Sequence, residues 1–292
     1  MGRPSSFVFL FSLHSFMAFL AWSDTNIITD KSALLAFKSC ITSDPHNFLA
    51  NWSVSSSPCS WIGITCNTRH RRVHSLNLGG MDLKGTISPQ LGNLSFLVEL
   101  DLSDNDFHDQ IPNELVKLHR LELLNLSCND FYGQVPTGIG GLSSLEKLNP
   151  RNNSLNGIIP PSLFNLTMLE TLDWNFNSIE GTILLEVGRL EKLTILRLAG
   201  NKLLGNIPRT ISNLSSLESL SLSYNSLSGI IFLKQNRDDA NYTTKRDLTN
   251  LDAPTRISYY EILQGTNGFD ESNLLGSGSF DQCTKQFFQT KR

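Results

Sequence analysis

Two glycines near the C-terminus, Gly276 and Gly278, have a spacing that suits phosphate chemistry. Glycine has no side chain, so a G-x-G-x-x-G loop lets the backbone approach phosphate groups closely. In this chain Asp281 takes the place of the third glycine, where it would put a carboxylate in the phosphate position. By themselves, the two glycines also fit an ordinary flexible turn, which is the default interpretation.

Cys59 and Cys66 are a second pair of residues that could do chemistry, and whether they form a disulfide depends on the cellular compartment of the protein. The apolar run at residues 7–22 follows Arg3 and precedes small residues, which predicts a secretory signal peptide over residues 1–23; an uncleaved anchor is the alternative. Secretion leads to an oxidising compartment, where we expect a Cys59–Cys66 disulfide. A metal pair is the weaker alternative because two further ligands at suitable spacing are missing. No second run of about 20 apolar residues follows, so we expect no membrane span after cleavage.

Charged and aromatic side chains that flank a recurring L-x-L pattern form a third set, suited to recognition. Residues on either side of a strand's inward Leu point away from the core and align in columns across neighbouring strands. Rigid strands present such side chains at little ordering cost, so we expect a peptide or protein ligand that carries basic and apolar groups; a merely solvated face is the alternative. The candidate ligand-binding residues are Glu99, Asp101, Glu122, Asn125, Lys147, Arg151, Asp173, Phe176, Arg197 and Tyr224.

Composition narrows the function classes. Lys and Arg total 24 against 27 Asp and Glu, a net charge of −3 that supplies no broad basic field and argues against a nucleic-acid partner. Hydrophobic residues make up 40% of the chain, enough to build a core. Nothing in the sequence indicates a deep pocket for a small molecule or a cofactor.

A repeat of 24 residues must position the recognition side chains. A Leu precedes each reference Asn by five residues, and L-x-L has the period of a strand. One coil cannot bury its own leucines, so the coils must stack and share a core. An inward Asn can satisfy backbone groups of its own and neighbouring coils. The reference positions are Met81, Asn105, Asn129, Asn153, Asn177, Asn201 and Asn225.

Each unit reads L-x-x-L-x-L-x-x-N-x-L-x-G-x-I-P, which resembles the plant-type extracellular leucine-rich repeat over residues 73–232, in seven units. The resemblance implies an α/β solenoid, a right-handed superhelix with short parallel strands on its concave face. Residues 24–72 resemble the helical N-terminal cap of this family, with Asp30 as the expected helix N-cap. Pro150 and Trp174 replace strand leucines, so we expect local distortion near Pro150.

Asn-x-Ser/Thr triplets predict N-glycosylation, although Asn-rich repeats also generate such triplets by chance. Three of the preferred sites share one position of the repeat on the convex side, and the fourth lies in the cap. They are Asn93, Asn165 and Asn213, with Asn51 in the cap.

Residues 233–292 do not follow the repeat pattern. Residues 233–255 are polar and predict a linker without its own fold, which is expected to be disordered. Residues 256–292 resemble the juxtamembrane segment and glycine-rich loop that open the kinase domain of plant leucine-rich repeat receptor-like kinases, in the subfamily that includes receptors for bacterial protein fragments. The strand Lys, the H-R-D-x-x-x-x-N loop and the D-F-G segment of a kinase are missing, so we expect no catalysis by this chain.

These observations favour an extracellular recognition module of a receptor-like kinase lineage, in defence or developmental signalling. The resemblance implies a co-receptor, a plasma-membrane location for full-length members, and ATP and Mg²⁺ only in those members. One alternative is a soluble inhibitor or decoy that binds a microbial hydrolase. The other is a fragment of an active membrane Ser/Thr receptor kinase, in which a truncated gene model or a pseudogene has lost the middle of the protein.

Overall fold

The computed structural model describes residues 27–232 and 256–258. The predicted signal peptide (1–23), the predicted linker (233–255), and Gly276 and Gly278 of the predicted kinase remnant lie outside the described residues.

The chain begins with a cap built on a helix over residues 27–39. The helix buries Leu34 and Phe37, and the Phe37 ring stacks on Phe107 at 5.9 Å. Asp30 lies inside this helix, so the expectation that it is the N-cap is wrong. Its buried carboxylate accepts two bonds of 2.7 Å from Arg72 and one from the Val73 N–H, and it thereby joins the cap to the first repeat strand.

The repeats form one sheet on the concave side, because each L-x-L segment pairs in parallel with the same segment of the next coil. The antiparallel strand Ile64–Cys66 of the cap covers its N-terminal edge. The inward leucines are buried as predicted, with Leu100 and Leu196 at 0% exposure. The repeat strands are Val73–Asn77, Glu99–Asp101, Leu123–Asn125, Lys147–Asn149, Thr171–Asp173, Ile195–Arg197 and Ser219–Ser221.

A second sheet, absent from the sequence-based expectations, forms where each coil turns back after its reference Asn. Ile41–Ser43 of the cap covers its first edge in antiparallel pairing, and the remaining strands are parallel. Its strands are Lys84–Gly85, Asp106–Asp109, Asp130–Gln134, Ser154–Ile158, Ser178–Gly181, Lys202–Asn206 and Ser226–Ser228.

Short 3₁₀-helices close each coil on the convex side, before the chain enters the next concave strand. They bury one or two apolar residues each, such as Leu115 and Val187. The 3₁₀-helices are Pro58–Ser60 in the cap and Pro89–Asn93, Asn113–Lys117, Ile139–Gly141, Pro161–Asn165, Leu185–Arg189 and Arg209–Asn213 in the repeats.

An asparagine ladder ties successive coils together, as the repeat predicted. Asn129 Nδ2 donates to the Leu102 carbonyl of the preceding coil at 2.9 Å and to the Leu126 and Ser127 carbonyls of its own coil. Its Oδ1 accepts the Phe107 N–H of the preceding coil at 2.9 Å. Every hydrogen-bonding group of the amide therefore serves backbone groups inside the stack.

Pro150 shortens the pairing of its strand without breaking the stack. Lys147–Asn149 and Thr171–Asp173 pair at two residues instead of three, because proline has no N–H to donate. The Trp174 ring in the next coil is fully buried, and its Nε1–H has no hydrogen-bond partner within the described residues.

The C-terminal end of the array is less well covered than its N-terminal end. Leu217, Leu220, Leu222 and Leu227 of the last coil are only partly buried, whereas the equivalent leucines of earlier coils are inaccessible to solvent. Beyond them, the backbone of Ile230–Phe232 pairs in antiparallel fashion with Arg256–Ser258.

Candidate ligand-binding face

Two columns of outward side chains cross the concave sheet, and the strand register sets both. The first column precedes the central Leu of each strand and aligns Glu99 with Leu123 and Lys147. The second column follows that Leu: Asp101 lies beside Asn125, and farther along Asp173 lies beside Arg197. Because coils repeat every 24 residues, a substitution at one of these positions changes one point of a continuous surface.

At the N-terminal half, the second column is a hydrogen-bonded polar row. Asp101 Oδ1 accepts the Ser103 N–H and hydroxyl at 2.9 and 2.6 Å. Asn125 Oδ1 accepts the equivalent groups of Ser127, and its Nδ2 donates to Asp101 Oδ2 at 3.2 Å. These side chains are fixed before any ligand arrives.

Arg151, Asp173, Phe176 and Arg197, which we call the central cluster, meet in the middle of the face. Arg197 Nη1 donates to Asp173 Oδ2 at 3.2 Å, and the Asp173 carboxylate also accepts the Asn175 N–H. The Arg151 guanidinium lies 5.6 Å from the centre of the Phe176 ring, within cation–π range. Two cations, one buried anion and one aromatic ring are thus held within adjacent coils.

The electrostatics of the central cluster follow from partial burial. Burial lowers the pKa of Arg151, and nearby Asp173 opposes that shift while Arg197 reinforces it. Burial and the neighbouring Asp101 raise the pKa of Asp104, which faces the same region and is stabilised as an anion by Ser103 and Arg151.

The structure places the other predicted residues less uniformly. Asp173 is 5% exposed, so it orients Arg197 and is not itself an open contact. Glu122 is exposed but lies one residue before its strand, where its carbonyl accepts the Glu146 and Lys147 N–H groups; its expected place in the column belongs to Leu123. Tyr224 is 67% exposed at the turn of the last coil.

Sequence reasoning missed Asn175, a buried residue that lies beneath the central cluster and stabilises it. Its Oδ1 accepts the Ala199 N–H of the next coil at 2.7 Å, so it ties the strands under Arg197 together. The sequence does contain a signal for this role. Asn175 lies two residues before the reference Asn177, and most other repeats have a small residue at the equivalent position.

The predicted modification sites lie away from this face. Cys59 and Cys66 form a disulfide with a Cα–Cα distance of 5.4 Å. Asn93, Asn165 and Asn213 each end a 3₁₀-helix with an exposed side chain. Asn51 is also exposed, and its Nδ2 donates to the Ser60 carbonyl.

In residues 27–232 and 256–258, no helix has the length and apolar character that a bilayer crossing requires. The same residues contain no group of three or more His, Cys, Asp or Glu side chains arranged to hold a metal ion.

Stacked 24-residue coils joined by an asparagine ladder define a leucine-rich repeat protein. Family models agree with the geometry. The leucine-rich repeat N-terminal domain matches residues 27–67, and the leucine-rich repeat matches residues 96–118, 120–142, 192–214 and 216–233.

Proteins of similar sequence and structure show which leucine-rich repeat proteins this chain resembles. The LRR receptor-like serine/threonine-protein kinase EFR of Arabidopsis thaliana is 52% identical over 91 residues, which cover 31% of this chain and 9% of EFR. The ectodomain of the Arabidopsis thaliana receptor kinase SOBIR1 is 31% identical with a TM-score of 0.52, over 59% of this chain and 93% of that ectodomain. The chain therefore belongs to the plant leucine-rich repeat family, and its relatives are receptor-like kinases.

A longer structural neighbour was solved as a complex. The LRR ectodomain of the Arabidopsis thaliana membrane receptor kinase GASSHO1/SCHENGEN3, solved in complex with CASPARIAN STRIP INTEGRITY FACTOR 2, is 34% identical with a TM-score of 0.66. The match covers 70% of this chain and 24% of that ectodomain. The chain thus spans only a small part of the receptor kinases that it resembles.

Proposed function

We propose that this chain is an extracellular recognition module of a plant receptor-kinase lineage and that it binds a peptide across its concave face. The observation that carries the proposal is the central cluster, in which Arg and aromatic side chains are fixed on a rigid sheet. Arg, Tyr and Trp dominate the energetics of protein interfaces, and preorganisation reduces the ordering cost of binding.

The geometry favours a ligand of mixed charge. Asp173 and the neighbouring Asp104 offset much of the positive charge of Arg151 and Arg197, but the guanidinium of the partly exposed Arg197 can still donate paired hydrogen bonds to an anionic group of the ligand. Phe176 is 42% exposed and offers an apolar contact beside it. Toward the N-terminal half, the exposed carboxylate of Glu99 suits a basic group of the same ligand.

Recognition without catalysis is part of the proposal. The sequence contains no H-R-D-x-x-x-x-N loop and no D-F-G segment, and the GASSHO1/SCHENGEN3 neighbour is an LRR ectodomain. The apolar N-terminal run and the Cys59–Cys66 disulfide support passage through the secretory pathway.

The test measures binding of the full chain, secreted from insect cells, to an array of synthetic extended peptides of varied charge. Phe176→Ala and Arg197→Ala should weaken the bound peptides about tenfold or more, the range of interface hot spots. Arg189→Ala is the matched control, because Arg189 is exposed on the convex side at the end of a 3₁₀-helix.

Unchanged affinity in both concave variants, or an equal loss in Arg189→Ala, would overturn the assignment of the face. If no peptide binds and the chain instead reduces the activity of a microbial wall-degrading hydrolase, the soluble inhibitor is the better description.

A further inference from the structure

A basic patch on the flank of the array has no role in the concave face. It consists of Arg69, His70 and Arg71, from the turn before the first repeat strand, and Arg120 from a later coil. All four side chains are exposed. We call this set the flank patch; His70 and Arg120 lie against the Phe96 ring, and Arg69 and Arg71 flank His70 in the chain.

Phe96 brings the turn at residues 69–71 beside Arg120, because it contacts both His70 and Arg120. The Arg120 guanidinium lies 4.2 Å from the ring centre, the Arg72 guanidinium 4.7 Å, and the His70 ring 5.6 Å. Phe96 and Arg120 occupy the same position of consecutive coils, just before the buried Leu97 and Leu121, so the stack fixes their separation. Cation–π contacts of this kind hold the guanidinium against the face of the ring.

The charges of the flank patch are not balanced by neighbours. Arg72 is buried and its charge is matched by Asp30, so Arg72 is a structural residue. By contrast, Arg69, Arg71 and Arg120 have no acidic side chain within ion-pair distance among the residues that the structure describes. The net charge of the chain is −3, so an excess of basic residues in the whole sequence does not explain these three exposed arginines.

The patch lacks the apolar centre that a folded protein partner needs. Protein interfaces have a desolvated core of aromatic and apolar residues. Here two guanidinium groups lie over the Phe96 ring, and none of the exposed large hydrophobic side chains of the described residues belongs to the patch. Guanidinium groups bind carboxylates through paired N–H donors. A flexible polymer with regularly spaced carboxylates fits such a surface.

We propose that the flank patch binds an acidic polysaccharide, a polymer with a carboxylate on each sugar, and so anchors the module to an anionic matrix while the concave face stays free. The proposal uses the extracellular location of the proposed function but not its peptide site. It would therefore survive failure of the peptide experiment.

The test measures the affinity of the full chain for immobilised polygalacturonate at several salt concentrations, with neutral dextran as the blank. A triple variant, Arg69→Ala, Arg71→Ala and Arg120→Ala, should lose about tenfold or more and show a shallower salt dependence, since fewer counterions are released. The control triple, Arg189→Ala, Lys202→Ala and Arg209→Ala, removes the same charge from exposed positions elsewhere and should lose less than about threefold.

Two further comparisons sharpen the test. Phe96→Leu keeps every charge but removes the platform under Arg120, so binding should weaken less than in the flank triple variant. Each protein is measured with Asn93 and with Asn93→Gln, because a glycan at Asn93 would lie three residues from Phe96.

Three outcomes would overturn the proposal: no binding of either Asn93 form, equal losses in the two triple variants, or equal affinity for poly-glutamate. The last would assign the patch to an acidic polypeptide.

Discussion

Replacing Asn153 by leucine tests whether the asparagine ladder stabilises the array. Asn153 Nδ2 donates to the Leu126 carbonyl of the preceding coil at 2.9 Å, and its Oδ1 accepts the Phe131 N–H at 2.9 Å. The Leu126 carbonyl keeps a second donor, Asn129 Nδ2, in the variant, whereas the Phe131 N–H loses this acceptor. A buried donor left unpaired costs about 1–3 kcal/mol and a lost additional bond about 0.5–1.5 kcal/mol, so we expect a loss of about 2–4 kcal/mol.

Asn156→Leu is the matched control, because Asn156 lies in the same coil with an exposed side chain. Urea unfolding of the full chain, followed by circular dichroism, should show a lower midpoint for Asn153→Leu and a change within about 0.5 kcal/mol for Asn156→Leu. Equal stabilities for the two variants would refute the view that the amide, and not merely apolar stacking, joins the coils.

Three other sets of substitutions probe the cap, the core and the face, each by thermal or urea unfolding. Replacing Cys59 and Cys66 by serine should cost about 2–3 kcal/mol, because the short covalent loop is lost from the unfolded state; no change under oxidising conditions would contradict this. Trp174→Phe should be neutral or slightly stabilising, since it removes an N–H that has no partner in the described region, whereas Trp174→Leu should cost about 1–3 kcal/mol through a cavity. Asp173→Ala should destabilise the chain by about 1–3 kcal/mol because it leaves the buried Asn175 N–H without its acceptor, and Arg197→Ala should cost at least as much because it leaves the buried Asp173 carboxylate without its cation; a loss below about 0.5 kcal/mol for Arg197→Ala would show that the carboxylate does not need this partner.

Periodic features of the fold could be predicted from the sequence, and features made by distant contacts could not. Leu100 and Leu196 are buried because packing imposes the 24-residue period, which is visible in the sequence. The pairing of Asp30 with Arg72 spans 42 residues, so local helix signals assigned Asp30 to the wrong role. Asp173 looks like a surface residue in isolation, and only the neighbouring coil shows that it is buried against Arg197.

The second sheet was missed for a related reason. Its strands carry polar, glycine-containing segments such as Ser154–Ile158, which lack a period of apolar residues. Gly157 has a φ of 76°, a conformation that β-branched strand residues avoid. Hydrogen bonding between adjacent coils, rather than the propensity of any single segment, produces this sheet.

The two ends of the repeat array differ in how well their leucines are buried, so they should differ in local stability. Cap strands seal the edge beside Val73–Asn77, but no further described strand lies beside Ser219–Ser221, and Leu220 is partly exposed. Local opening costs least where a structure has the fewest buried apolar contacts. Among the described coils the last one should therefore open first, and the central cluster should stay folded when the region around Tyr224 has opened.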